Sequence, residues 1–206
     1  MDEANEPPEA PAAGPLPADV SAWLAEADRQ RDELRVMLDE HSTAALVWRP
    51  DAGRWSIGEH ISHLALTNDE YLDTLEAALE EAREKGHLGP PPYDSSFIGS
   101  RFVRSLEPPV NRRFKTFKRL IPPAENETPI ADRLAAFERG MDRYAALLES
   151  NADIDFGRAR MRSPFLWFLR LTLAEGAETV LAHNRRHLWL VDEVVRSPGF
   201  PAAGHA

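Results

Sequence analysis

A chain of 206 residues with a formal net charge of -10 has the length of one large domain and is too acidic for a general nucleic-acid binder, which needs a basic field against phosphate. It contains no cysteine, so disulfides, thiolate metal sites and a cysteine nucleophile are excluded, and any thiol chemistry needs a borrowed thiol. No stretch reaches the roughly 20 apolar residues that span a bilayer; the longest candidate, "PFLWFLRLTLA", is interrupted by Arg170.

Residues 1–17 are acidic and proline-rich, unlike the basic and apolar regions of a signal peptide, and read as a disordered lead-in to a soluble, cytoplasmic protein. A first helix is expected from Asp19, a candidate N-cap, to near Ser42, with Val20, Trp23, Leu24, Ala27, Leu34 and Leu38 on one stripe. After a turn at "WRPDAGRW", Ser56 and Glu59 form an S-x-x-E capping box, and the helix it opens runs to Lys85 with Ile57, Ile61, Leu64, Tyr71, Leu75 and Leu79 facing inward. Successive prolines then break the pattern over residues 86–126, which read as a long crossover loop. A third helix opens at Thr128 with Pro129 at its first position and carries Ile130, Leu134, Phe137, Met141, Tyr144 and Leu148. Thr172 and Glu175 form a second capping box, opening a fourth helix that ends before "SPGFP". No run alternates as a strand does, so the expectation is an all-α fold: one four-helix bundle over residues 18–201, a long crossover at 86–126, and a tail at 202–206.

Seven histidines punctuate this pattern. His41, His87 and His205 fall at helix ends, loops or the tail and read as solvated. His183 and His187 lie one turn apart on the face carrying Val180, Leu190, Val191 and Val194, so both rings point inward. Paired inward imidazoles either complete a hydrogen-bond network or hold a metal, for which a third ligand from a neighbouring helix leaves positions open to water or substrate. His60 and His63 on the second helix are the candidates for that third position.

The stretches "RPDAGRWSIGEHISHL" and "RMRSPFLWFLRLTLAEGAETVLAHNRRHLWLVDEVVRSPGFP" resemble the DinB/YfiT-like superfamily of metal-dependent bacterial proteins. Trp55, Ser56 and His63 match its tryptophan-serine helix start with a histidine eight residues after the tryptophan; His183 and His187 match its late H-x3-H helix. The resemblance spans about Leu46 to Pro201 and is weakest in the crossover. It implies a four-helix bundle, often a homodimer, with His63, His183 and His187 binding a divalent metal such as nickel, zinc or iron. Helical periodicity sets His60 nearer than His63 to the apolar stripe, whereas the motif register selects His63. Glu59, one turn before His63, is a candidate to orient an imidazole, against its simpler role in the capping box. Trp55, Trp167 and Trp189 read as packing residues.

The crossover holds a basic stretch, residues 101–119, with phenylalanines interleaved. Single-stranded nucleic acid is the less favoured partner, because proline pairs interrupt the stretch and no recognition fold is evident. A loop pinned by its phenylalanines, with Arg112 and Arg113 offered to an anionic substrate, is the functional variant. The resemblance implies a metal-dependent enzyme acting on a small molecule, either by hydrolysis or by transferring a low-molecular-weight thiol to an electrophile. The contrary reading is a non-catalytic bundle whose histidines hold a structural metal or one another.

Overall fold

The structure, a computed structural model, describes residues 16–110, 116–122 and 128–201. Four long helices form a bundle: α1 (Ala18–Asp39), α3 (Ile57–Glu84), α5 (Ile130–Ser150) and α6 (Leu173–Val195). Two short helices, α2 (Thr43–Leu46) and α4 (Phe97–Leu106), a 3₁₀ turn at Lys118–Leu120 and a hairpin of β1 (Arg160–Arg162) and β2 (Arg170–Thr172) complete it. The long helices touch as α1–α5, α5–α3, α3–α6 and α6–α1, so α3 stands opposite α1 and α6 opposite α5. No described helix is long and apolar enough to cross a membrane.

Both capping boxes are present. Ser56 Oγ accepts from Glu59 N–H at 3.1 Å while the Glu59 carboxylate accepts from Ser56 N–H at 2.9 Å. Thr172 and Glu175 repeat the exchange at 3.0 and 2.8 Å, so α3 and α6 start at fixed residues. Lys85 ends α3, and Gly86, at φ 63°, supplies the left-handed residue that turns the chain away. Every stripe residue expected for α3 is buried, in one core that also holds Phe137, Met141, Tyr144 and Leu148 of α5 and Val180, Leu181 and Leu188 of α6. Each such side chain contributes about 1.5–3 kcal/mol of burial.

The N-terminal turns of α3 are further fixed by Arg133 of α5, which is 2 % exposed. It donates to Gly58 O at 3.2 Å and to Ser62 Oγ at 2.9 Å. A Cβ at Gly58 would stand 2.6 Å from Ile130 Cδ1, so the glycine leaves room for the tip of that side chain beside the turn that carries His60.

Several expected boundaries are corrected. Pro17 occupies the N-cap of α1, leaving Asp19 inside its first turn, and the helix ends at Asp39. Pro129 is the N-cap of α5 rather than its first residue. The crossover is not structureless. Within it, Ser96 Oγ caps α4 by accepting from Gly99 N–H, and α4 lays Val103 and Leu106 onto Ala182 of α6. The all-α bundle carries one small addition: Met161 pairs with Leu171 and Arg162 with Arg170 in a short antiparallel hairpin preceding α6. Residues 1–15 of the expected lead-in and the tail 202–206 lie outside the described residues.

Candidate metal centre

α3 and α6 run side by side in opposite directions, which sets His60 beside His187 and lets His63 face both His183 and His187. His63, His183 and His187 each offer a ring nitrogen, all three within 4.8 Å of one another. Ring centroids lie 4.6 Å apart for His183–His187, 4.7 Å for His63–His187 and 5.3 Å for His63–His183. Trp55 covers this group, tilted over His63 at 4.9 Å and edge-on to His60 at 5.4 Å.

The hydrogen bonds assign the protons. His63 Nδ1 lies 2.8 Å from Leu120 O, and since a carbonyl only accepts, Nδ1 carries the proton and Nε2 keeps its lone pair. His60 Nδ1 and His187 Nδ1 are 2.9 Å apart and share one hydrogen bond. His183 Nδ1 is buried and has no hydrogen-bond partner among the described residues. Burial pulls all three rings of the cluster toward the neutral form. It lowers the His63 pKa, opposed by the Leu120 bond, and with the charges of His63 and Arg186 it takes His183 down to about 3. His187 is held well below the usual histidine range by burial first, then by His183, His60, His63 and Arg186.

A divalent ion implied by the resemblance suits this donor set. Three neutral imidazoles are the ligands that such ions take at bond lengths of about 2.0–2.1 Å. The buried His183 Nδ1, with no hydrogen-bond partner among the described residues, is a polar atom that a ligand bond would satisfy.

The cluster opens onto a cavity of about 930 Å³. Trp55, Phe102, Leu106, Leu120, Phe165 and Leu190 give it apolar walls. Tyr71, whose hydroxyl lies 3.3 Å from Ser163 Oγ, and Thr67 and Thr179 add hydroxyls. Burial pushes the Tyr71 phenol up to about 12, so it stays protonated. Arg186 lines the same space, only 6 % exposed, and burial lowers its pKa.

Over residues 26–191 the sequence matches the DinB superfamily. The chain belongs to that superfamily. Among solved structures it is similar to YfiT from Bacillus subtilis, described as a probable metal-dependent hydrolase with an unusual four-helix bundle topology. The two superpose with a TM-score of 0.60 at 16% identity, covering 94% of this chain and 95% of that one. No curated protein matches.

The structure thus gathers His63, His183 and His187, with His60 behind His187. Of the two roles weighed for Glu59, the structure shows the simpler one, the capping box: its carboxylate accepts from Ser56 N–H and also from the Arg49 guanidinium. The partner of His63 is instead a main-chain carbonyl 57 residues away, for which a sequence carries no signal. Arg112 and Arg113 lie outside the described residues. Of the remaining basic stretch, Arg101 and Arg104 are exposed on α4, while Arg119 pairs with Glu70 at 3.3 Å and lies over Phe165. Trp167 is 79 % exposed at the hairpin and packs into no core; Trp55 and Trp189 line the cavity.

Proposed function

We propose that this DinB-superfamily chain is a metal-dependent enzyme in which His63, His183 and His187 hold one divalent ion, nickel, zinc or iron, at the wall of the cavity. The observation that carries the reading is the trio of mutually close, neutral ring nitrogens, one of them buried and partnerless. When bound, such an ion supplies Lewis acidity that makes water or a thiol a better nucleophile and polarises a substrate oxygen. The residues around it bind and orient. The apolar walls exclude water from a small-molecule substrate, the Tyr71 phenol donates a hydrogen bond, and the Arg186 cation favours a substrate with an anionic group near the histidines. Among the described residues lining the cavity Glu193 is the sole carboxylate, and it turns to Arg196 at 3.4 Å.

Hydrolysis is the first reading, in keeping with the description of YfiT. Transfer of a low-molecular-weight thiol is the second, and the cavity favours it: about 930 Å³ lies near the upper end of small-molecule sites, at roughly 300–1,000 Å³, leaving room for two reactants. With no cysteine in the chain, the thiol would come from solution. An open cavity beside the cluster supports a reactive site over a closed structural one.

The test is elemental analysis of tag-free protein by plasma mass spectrometry, beside the alanine variants of His63, His183 and His187. One divalent ion per chain is expected, lost in each variant with helicity nearly unchanged. Protein that takes up no ion even on reconstitution would leave the cluster as a hydrogen-bond network and remove the enzyme reading. Loaded protein is then assayed against anionic esters and amides, with and without added thiol.

A further inference from the structure

His60 is a fourth histidine at the site, 6 % exposed, and the ligand trio leaves it without a role. It does not belong to the group of ring nitrogens that lie within 4.8 Å of one another. Its Nδ1 is instead 2.9 Å from His187 Nδ1, with the ring centroids 5.1 Å apart and the rings inclined at 56°. Two imidazole nitrogens at this distance share one proton, so one ring donates and the other accepts.

The direction of that bond decides what His187 can do. If His60 donates, the proton of neutral His187 resides on Nε2, and the nitrogen remote from His60 has no lone pair for a metal. If His187 donates, its Nε2 keeps the lone pair, and the proton of His60 resides on its own Nε2. His63 is already held in the corresponding state, with Nδ1–H given to Leu120 O. Trp55 lies edge-on to His60 and stacked against His187 at 6.2 Å, which keeps both rings from turning out of the bond.

We propose that His60 is a positioning residue: it accepts the Nδ1–H of His187 and so holds that ring with its Nε2 lone pair available to the cluster. This rests on the three-histidine reading above. An acceptor behind a metal-binding histidine is ordinarily a carboxylate, carbonyl or water; here a neutral imidazole takes that place, adding no negative charge to a buried site.

The experiment is nitrogen NMR of the histidine rings in metal-free protein at neutral pH, joined to chelator-competition measurements of zinc affinity. His187 is expected as the Nδ1–H tautomer in the native chain. His60→Phe, which keeps a ring of similar size but cannot accept, shifts His187 toward Nε2–H and weakens zinc binding by about 10–100-fold at unchanged stoichiometry. His60→Gln, whose amide oxygen can accept, recovers the tautomer and most of the affinity. The proposal is overturned if the His187 tautomer is the same in native and His60→Phe protein, or if His60→Phe loses zinc as completely as His183→Ala, which would make His60 a ligand. Should His60→Phe fail to fold, native and His60→Gln spectra decide alone, because an Nε2–H His187 in either contradicts the bond direction. Absence of zinc binding in native protein with the tautomers as expected removes the metal reading and the role toward it, while the bond direction from His187 to His60 stands.

Discussion

Three imidazoles at one helix interface, His63 and His187 buried and His183 half-buried, are tolerated because they are neutral, and that makes the ion-free protein sensitive to acid. A histidine whose folded pKa lies below its unfolded value of about 6.5 binds protons first in the unfolded chain. Its contribution to stability is therefore complete above about pH 6.5 and is lost as pH falls toward the folded value, about 3 for His183. Burial lowers His63 and His187 in the same direction. Urea unfolding of ion-free protein between about pH 6.5 and 5, above most carboxylate titration, should lose up to about 1.4 kcal/mol per pH unit for each ring, less where cavity water reaches it. His183→Leu should flatten that slope by up to one ring's share; an identical slope in the variant would mean that His183 is not held neutral by the fold. At this scale the sequence was informative about side chains and silent about main chain. The H-x3-H spacing exposed His183 and His187, and the tryptophan-serine helix start exposed His63. Periodicity leaned to His60, the nearer to the apolar stripe, and had little power against His63, because residues three apart on a helix differ by only about 60° and both rings face α6. The Leu120 carbonyl that orients His63 belongs to no motif.

Among the secondary elements, Glu175 joins two helices that the sequence presents separately. Its carboxylate closes the capping box on Thr172 N–H and also accepts from Ser96 N–H at 2.5 Å and Ser96 Oγ at 3.1 Å, at the start of α4. A Cβ at Gly99 would stand 2.1 Å from Glu175 Oε2, so α4 is seated against that carboxylate with no spare room. Glu175→Ala removes bonds at both helix starts and should cost about 1–3 kcal/mol, more than Ser56→Ala at the start of α3, at about 1 kcal/mol. Thermal unfolding of the two variants makes the comparison; equal losses would show that α4 does not depend on Glu175. The capping boxes of α3 and α6 were legible because two side chains three residues apart carry the whole signal. α4 was hidden because prolines bracket a ten-residue helix whose apolar face is matched by distant α6. The hairpin was hidden because each strand has three residues, too few to display an alternation.

For the molecule as a whole, the bundle supplies a rigid pair of helices and the crossover supplies one of the bonds that makes the pair chemically useful. α3 and α6 bring the four rings together, but the proton of His63 is placed by Leu120, in the 3₁₀ turn of the crossover. That turn is held from outside: Arg119 pairs with Glu70 of α3, donates to Pro164 O at 3.1 Å and lies 5.5 Å from the Phe165 ring centroid, which also stacks with Phe117. These contacts are exposed, so each is worth at most about 1 kcal/mol to stability. Their larger effect is directional, since they set where the Leu120 carbonyl sits relative to His63. Arg119→Ala should therefore leave unfolding within about 1 kcal/mol of native protein. It should also weaken zinc binding, by less than the roughly 10–100-fold of a lost direct acceptor, with His63 partly shifted away from its Nδ1–H tautomer. Stopped-flow release of zinc to a chelator reads the affinity change as a faster dissociation rate, and ring-nitrogen NMR reads the tautomer. An unchanged release rate and an unchanged His63 tautomer would mean that the buried Leu120 side chain holds the turn by itself. A faster rate with the tautomer intact would place the effect on access to the cavity, since the same turn forms part of its wall.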